Sequence, residues 1–294
     1  MRLGALEAGG TKMVCAIGNE KGEIFERVSF KTETPDKTIP ELIRYFKDKD
    51  IEALGIGCFG PIDLNRDSET YGYITTTPKL AWVNCNIVGA FQDALLVPVG
   101  FDTDVNGSAL GEATWGITKG LSSSMYITIG TGVGAGVIAN GKLLHGMLHP
   151  EGGHLLLSKH PKDSFEGTCP YHKTCLEGLA AGPAIEARWG KGGAELVNQP
   201  EVWELEAYYI AQAVVDYIMI LSPQRIILGG GVMHQEHLMP LIREEVSRQL
   251  GGYIKTKELS DLEHYLVLPS LNDNQGIMGA LKLALDEYQL SIKG

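Results

Sequence analysis

Residues 3–19 read LGALEAGGTKMVCAIGN, and residues 124–140 read SMYITIGTGVGAGVIAN. Each is an apolar run, a glycine-threonine turn and a second apolar run that ends in asparagine. Laying Gly9-Gly10-Thr11 over Gly130-Thr131-Gly132 also brings Ile17 onto Ile138 and Asn19 onto Asn140. The first copy predicts strands at Leu3–Ala8, Met13–Gly18 and Glu23–Phe30. The second predicts strands at Met125–Ile129, Ala135–Ala139 and Lys142–Leu144, with a hairpin turn at Asn140-Gly141. A repeat at half-chain distance points to two α/β domains of similar topology with a cleft between them, not to a short-period solenoid. The expected division is 1–118, completed by a C-terminal helix over 277–294, and 119–276.

Outward from these copies, the spacing predicts a helix over Pro40–Lys49 and a strand over Ala53–Gly57. Leu96–Phe101 reads as a further strand, followed by a helix over Ser108–Trp115. Tyr208–Leu221 reads as a strongly apolar helix and Arg225–Leu228 as a strand. Gly229–Gly231 then feeds a helix through Leu238, Leu241, Ile242 and Val246, and a small-residue helix covers Ile277–Leu285.

The 294 residues are 44% hydrophobic and 21% charged, which excludes a disordered or fibrous chain. A formal charge of −11 argues against nucleic acid as a partner, because phosphate neutralisation needs a basic footprint. A nucleotide is still compatible, since backbone amides in glycine turns hold phosphate without net positive charge. No signal peptide or membrane span is legible, so a cytoplasmic protein without membrane partners is expected. Five cysteines do not suggest a disulfide framework.

Three glycine turns follow apolar strands: Gly9-Gly10-Thr11-Lys12, Gly130-Thr131-Gly132 and Gly229-Gly230-Gly231. Any one alone would pass for an ordinary turn. Two matched copies plus a third point to phosphate or nucleotide contact, with the Thr11 and Thr131 hydroxyls as extra donors. None has the P-loop form. Asp102-Thr103-Asp104-Val105-Asn106 follows a strand, where a carboxylate can accept the proton of an attacking hydroxyl; an Asp N-cap is the plainer alternative. His154, Cys169, His172 and Cys175 supply two imidazoles and two thiols within a short stretch, a set suited to closed, tetrahedral zinc.

These segments, together with GCFGPID (57–63), HPEGGH (149–154) and CPYHKTCLEG (169–178), resemble the ROK family of repressors and sugar kinases, and most nearly its bacterial fructokinase branch. The resemblance runs through nearly the whole chain. It implies an actin-like ATPase fold and ATP- and Mg²⁺-dependent phosphorylation of a hexose, with fructose the expected substrate and a homodimer the expected assembly. It makes Asp104 the general base. Glu151, His154 and Glu177 would hold sugar hydroxyls, and Thr103 would stand at a sugar-contacting position. His154 would also ligate Zn²⁺ through its other nitrogen. Thr11, Lys12, Thr131 and Gly132 would face the phosphates, with Gly182, Pro183, Gly229, Gly230 and Gly231 near the adenosine. The chain departs from the family pattern at three places: Glu7 replaces the usual Asp, Thr103 a frequent Asn, and His172 one cysteine of the usual cluster. Repressors of the family carry a helix-turn-helix module ahead of the first glycine turn. Only six residues precede Glu7 and the charge is acidic, so a kinase is expected instead.

Overall fold

A computed structural model describes residues 1–293 and divides into two compact units. The first comprises 1–120, 143–149 and 270–294; the second comprises 121–142 and 150–269.

In the first unit, strands β1 (Leu3–Ala8), β2 (Lys12–Gly18) and β3 (Ile24–Lys31) form the meander and are followed by helix α1 (Pro35–Lys47). Next come β4 (Ala53–Cys58), the short pair β5 (Tyr73–Ile74) and β6 (Cys85–Asn86), and α2 (Ile87–Leu95). Strand β7 (Val99–Thr103) then runs directly into α3 (Asp104–Thr114). The sheet order is β3-β2-β1-β4-β7, with β1, β4 and β7 parallel. Period-two alternation along β1 sends Leu6 and Ala8 to one face, where they pack with Phe46 of α1 and Phe91 of α2. Leu3 and Ala5 pack on the other face against Ile277, Ala280, Leu281 and Ala284 of the C-terminal helix, Gln275–Ser291. Each buried leucine or isoleucine among these contributes about 1.5–3 kcal/mol. The two chain ends of this unit are therefore held together by a common core.

The register of the parallel strands sets Glu7, Gly57 and Asp102 side by side across β1, β4 and β7, and likewise Ala8, Cys58 and Thr103. These rows lie at the carboxyl ends of the parallel strands, the end at which open α/β sheets bind ligands.

The second unit repeats the plan. Strands β8 (Ser124–Ile129), β9 (Val133–Ala139) and β10 (Lys142–Leu143) form its meander. They are followed by α4 (Leu176–Ala180), α5 (Gly182–Trp189) and the long α6 (Pro200–Leu221). Strand β11 (Ile226–Gly229), α7 (Leu238–Leu250), α8 (Leu262–Tyr265) and β12 (Leu266–Val267) complete it. The order β10-β9-β8-β11-β12 matches that of the first sheet strand for strand. Among the described residues, no helix is long and apolar enough to cross a membrane.

Several elements differ from the sequence expectation. The helix expected from Pro40 begins at Pro35: Thr34 is extended, Pro35 occupies the first turn where its missing N–H is harmless, and Pro40 lies inside. Residues 87–95 form a helix absent from the sequence expectation, capped by the Asn86 side chain accepting from Gly89 N at 2.8 Å. Leu96 is its left-handed terminus (φ 57°), not the start of a strand. The strand expected over Leu96–Phe101 is instead Val99–Thr103 and contains Asp102. The helix expected from Ser108 starts at Asp104, and its N-cap is Thr103, whose Oγ1 accepts from Asn106 N at 3.1 Å. Helix α6 starts at Pro200, well before the expected Tyr208.

Candidate functional site

In the first unit, chemistry concentrates at the strand ends. The β1–β2 turn is a tight hairpin, with Gly9 N donating to Lys12 O at 3.1 Å. Thr32 straps it from outside, its Oγ1 donating to Gly9 O at 2.8 Å. Thr11 and Lys12 are exposed on this turn. Just before it, burial and then the neighbouring Asp104 charge push the Glu7 carboxyl up to about 7, against the opposing pull of Arg27 and Lys12. Asp104, first residue of α3, is also held above the ordinary carboxylate range by burial, although Val105 N donates to its Oδ1 at 2.8 Å. Two neighbouring carboxyl groups whose environments favour protonation are suited to proton transfer.

Asp102 supports this arrangement from the strand. It is 2% exposed; its Oδ1 accepts from Thr103 N at 2.8 Å and from Asn106 Nδ2 at 2.7 Å. Its Oδ2 meets His145 Nε2 at 2.8 Å, and this hydrogen bond raises the histidine's pKa above its ordinary value. Asp102 thereby anchors both Thr103 and Asn106, which flank Asp104. His145 also forms one wall of a recess of about 340 Å³ shared with Asp63, Asn65, Met147 and Leu148.

In the second unit, the segments Gly130–Gly132, Gly182-Pro183 and Gly229–Gly231 converge. Gly182 N donates to Gly130 O at 2.8 Å, and a Cβ added to Gly130 would lie 3.7 Å from Gly231 N. Gly230 has φ +89°, and a Cβ there would sit 2.6 Å from Ile129 N, so no other residue fits this crossing. Pro183 follows in the first turn of α5. Beside these segments, Glu177 on α4 accepts from Val133 N at 3.0 Å through Oε2, which ties it to the Gly130–Gly132 turn. The loop carrying Glu151 and His154 is held by Tyr217, whose hydroxyl donates to Gly152 O at 2.6 Å.

His154, Cys169, His172 and Cys175 bring one potential ligand atom each to within 4.8 Å of one another. Cys169 Sγ lies 3.8 Å from His154 Nδ1 and 3.7 Å from His172 Nδ1, and Cys175 Sγ lies 3.6 Å from His154 Nδ1. A tetrahedral ion with bonds of about 2.0 Å to nitrogen and 2.3 Å to sulfur requires edges of about 3.5 Å, so the set fits zinc. Without a cation, burial pushes the Cys175 thiol up to about 11. His154 turns Nδ1 towards the sulfurs, which leaves Nε2 for another partner.

The sequence-predicted residues thus form two groups. Gly9, Gly10, Thr11, Lys12, Thr103 and Asp104 belong to the first unit. Thr131, Gly132, Glu151, His154, Glu177, Gly182, Pro183 and Gly229–Gly231 belong to the second, together with the cysteine-histidine set. The coupling of Glu7 with Asp104 and the bond between His145 and Asp102 have no signal in the sequence, because each depends on contacts between segments far apart in the chain.

Two sheets of the same strand order, each with a glycine turn between its first two strands, define an actin-like α/β fold of the sugar-kinase type. The chain belongs to the ROK family, whose profile matches residues 3–287. A Bacillus subtilis (strain 168) protein described as a candidate fructokinase is 52% identical over 288 residues, covering 98% of this chain and 96% of its own. A fructokinase of Streptococcus mutans serotype c is 46% identical over 287 residues, covering 96% of each chain. The crystal structure of the ROK hexokinase from Thermus thermophilus superposes with a TM-score of 0.80 at 26% identity, covering 100% of both chains.

Proposed function

We propose that this protein is an ATP-dependent fructokinase that converts D-fructose to fructose 6-phosphate. The observation that carries the reaction type is Asp104, a half-buried carboxyl with raised proton affinity at the carboxyl end of the first unit's sheet. The choice of sugar rests on the fructokinase relatives.

Asp104 takes the proton of the fructose O6 hydroxyl as that oxygen attacks the γ-phosphorus of ATP. The new O–P bond forms as the bond to the bridging oxygen breaks, and its electron pair leaves with ADP. Thr103 N and Asn106, both bonded to Asp102, keep the start of α3 in place under the reacting hydroxyl. Glu151, the free Nε2 of His154, and Glu177 hold the other hydroxyls of the sugar. A hexose with one hydroxyl misplaced leaves one of these partners unpaired once the sugar covers it, at about 1–3 kcal/mol. Amides of the Gly9–Lys12 and Gly130–Gly132 turns bind the phosphates, and the Gly182-Pro183 and Gly229–Gly231 segments take the adenosine end. Glu7 offers a hard oxygen to Mg²⁺, which when bound neutralises charge on the phosphates. Zn²⁺ held by His154, Cys169, His172 and Cys175 is structural, since four protein ligands leave no position for water.

A coupled ADP-release assay over a panel of hexoses with ATP and Mg²⁺ tests this reading. Fructose should show the highest kcat/KM, mannose and glucose should be slower, and the product should carry phosphate on O6. Asp104→Asn should lower kcat by at least ~10²-fold while nucleotide still binds. A different leading hexose would overturn the fructose assignment alone; no turnover with any sugar would overturn the kinase.

A further inference from the structure

Lys79 lies outside every motif that defines the site, yet its side chain crosses the first glycine turn. A Cβ added to Gly10 would sit 2.6 Å from Lys79 Cε and 3.4 Å from Nζ, so the lysine stem rests on the bare backbone of the turn. Its own backbone is fixed. Lys79 N donates to Thr77 Oγ1 at 3.3 Å, and Lys79 O accepts from Trp82 N at 2.8 Å. Trp82 is 1% exposed, donates through Nε1 to Glu33 O at 2.8 Å and meets Phe59 edge-on.

This half-buried ammonium has no carboxylate within 4.0 Å among the described residues, in a chain with eleven more acidic than basic side chains. A cation held over a glycine turn and left without a counter-charge is matched by an anion that arrives with the ligand. We propose that Lys79 is a further catalytic residue, whose Nζ contacts the γ-phosphoryl group of ATP at the Gly9–Lys12 turn and balances its charge during transfer. The assignment rests on the kinase reading above and extends it to a residue outside the turn. Lysine suits the task because a compact ammonium with rotatable donors can follow the phosphoryl oxygens as the group moves away from ADP.

The test is calorimetric titration of the full chain with Mg²⁺ and either β,γ-imido-ATP or ADP, in the native protein, Lys79→Met and Lys79→Arg. Methionine keeps much of the stem over Gly10, so an unchanged melting temperature checks the fold. Lys79→Met should weaken binding of the imido-ATP about tenfold while ADP affinity changes less than about twofold. With the hexose that the native protein turns over, kcat should fall ~10- to 100-fold with the sugar KM nearly unchanged. Lys79→Arg should recover much of both losses. Equal weakening for the two nucleotides, or no weakening, would overturn the assignment to the γ-phosphoryl group while leaving the kinase intact. If the native protein binds neither nucleotide, the kinase reading falls and Lys79's role falls with it.

Discussion

At the scale of single residues, Glu7 is a site carboxyl whose protonation the fold controls. Its ordinary value is near 4.5 and its folded value is about 7, raised first by burial and then by Asp104. Below pH 4.5 both folded and unfolded chains carry the proton. As pH rises towards 7 the unfolded chain releases it first, so stability declines across that window and levels off above it. The whole effect is on the order of 3 kcal/mol, because each pKa unit corresponds to about 1.4 kcal/mol. Glu7→Gln, measured without nucleotide or divalent cations, should therefore flatten the melting-temperature profile between about pH 5 and about pH 8 and be the more stable form at the alkaline end. Identical profiles for the two proteins would show that Glu7 is not held protonated. The same burial that raises Glu7 would be relieved by Mg²⁺, which ties the residue's instability to the role proposed for it.

At the scale of elements, the cysteine-histidine set joins the loop that carries Glu151 and His154 to α4. His154 ends the short turn that follows Glu151; Cys175 is the N-cap of α4, its Sγ accepting from Gly178 N at 3.4 Å; and Glu177 lies two residues further on. A metal bound there would hold Glu151, His154 and Glu177, the side chains proposed to bind the sugar, in one frame. Purified protein should contain one zinc per chain by elemental analysis, as a closed four-ligand site requires. Cys169→Ser should lose the metal and raise the sugar KM more than it lowers kcat, since in the proposed site His154 serves both metal and sugar and Cys169 only the metal. Full zinc occupancy in the serine variant would remove Cys169 from the ligand set.

At the scale of the whole molecule, the first unit cannot be built from one continuous stretch of chain. The C-terminal helix covers the face of the sheet that carries Leu3 and Ala5, and it packs along α3. The approach to α3 is so close that a Cβ on Gly279 would fall inside the van der Waals shell of the Gly107 carbonyl. Gly279→Ala should therefore cost about 1–3 kcal/mol, the usual penalty for overpacking, read as a lower denaturant midpoint. Because α3 begins with Asp104, the same variant should lower kcat as well as stability. A midpoint equal to that of the native protein would show that the two helices can separate without loss.

The sequence alone determined the paired architecture, because period-two apolar runs and glycine turns are local signals and the two copies align residue by residue. It also singled out the cysteine-histidine set, whose four members fall within a short stretch of chain, and Asp104 through its resemblance to a family. Helix starts were less legible: α1 and α6 begin at Pro35 and Pro200, ahead of the starts expected at Pro40 and Tyr208, and α2 was hidden in a short apolar run that could equally have been a strand. Tertiary structure alone decided which carboxyl groups are neighbours. Glu7 and Asp104 are far apart in the chain and meet only because β1, β4 and β7 run parallel in register. His145 reaches Asp102, and Lys79 reaches Gly10, through contacts that no periodicity encodes. Proton affinity and charge balance depend on burial and distance, and both come into being only when distant segments pack.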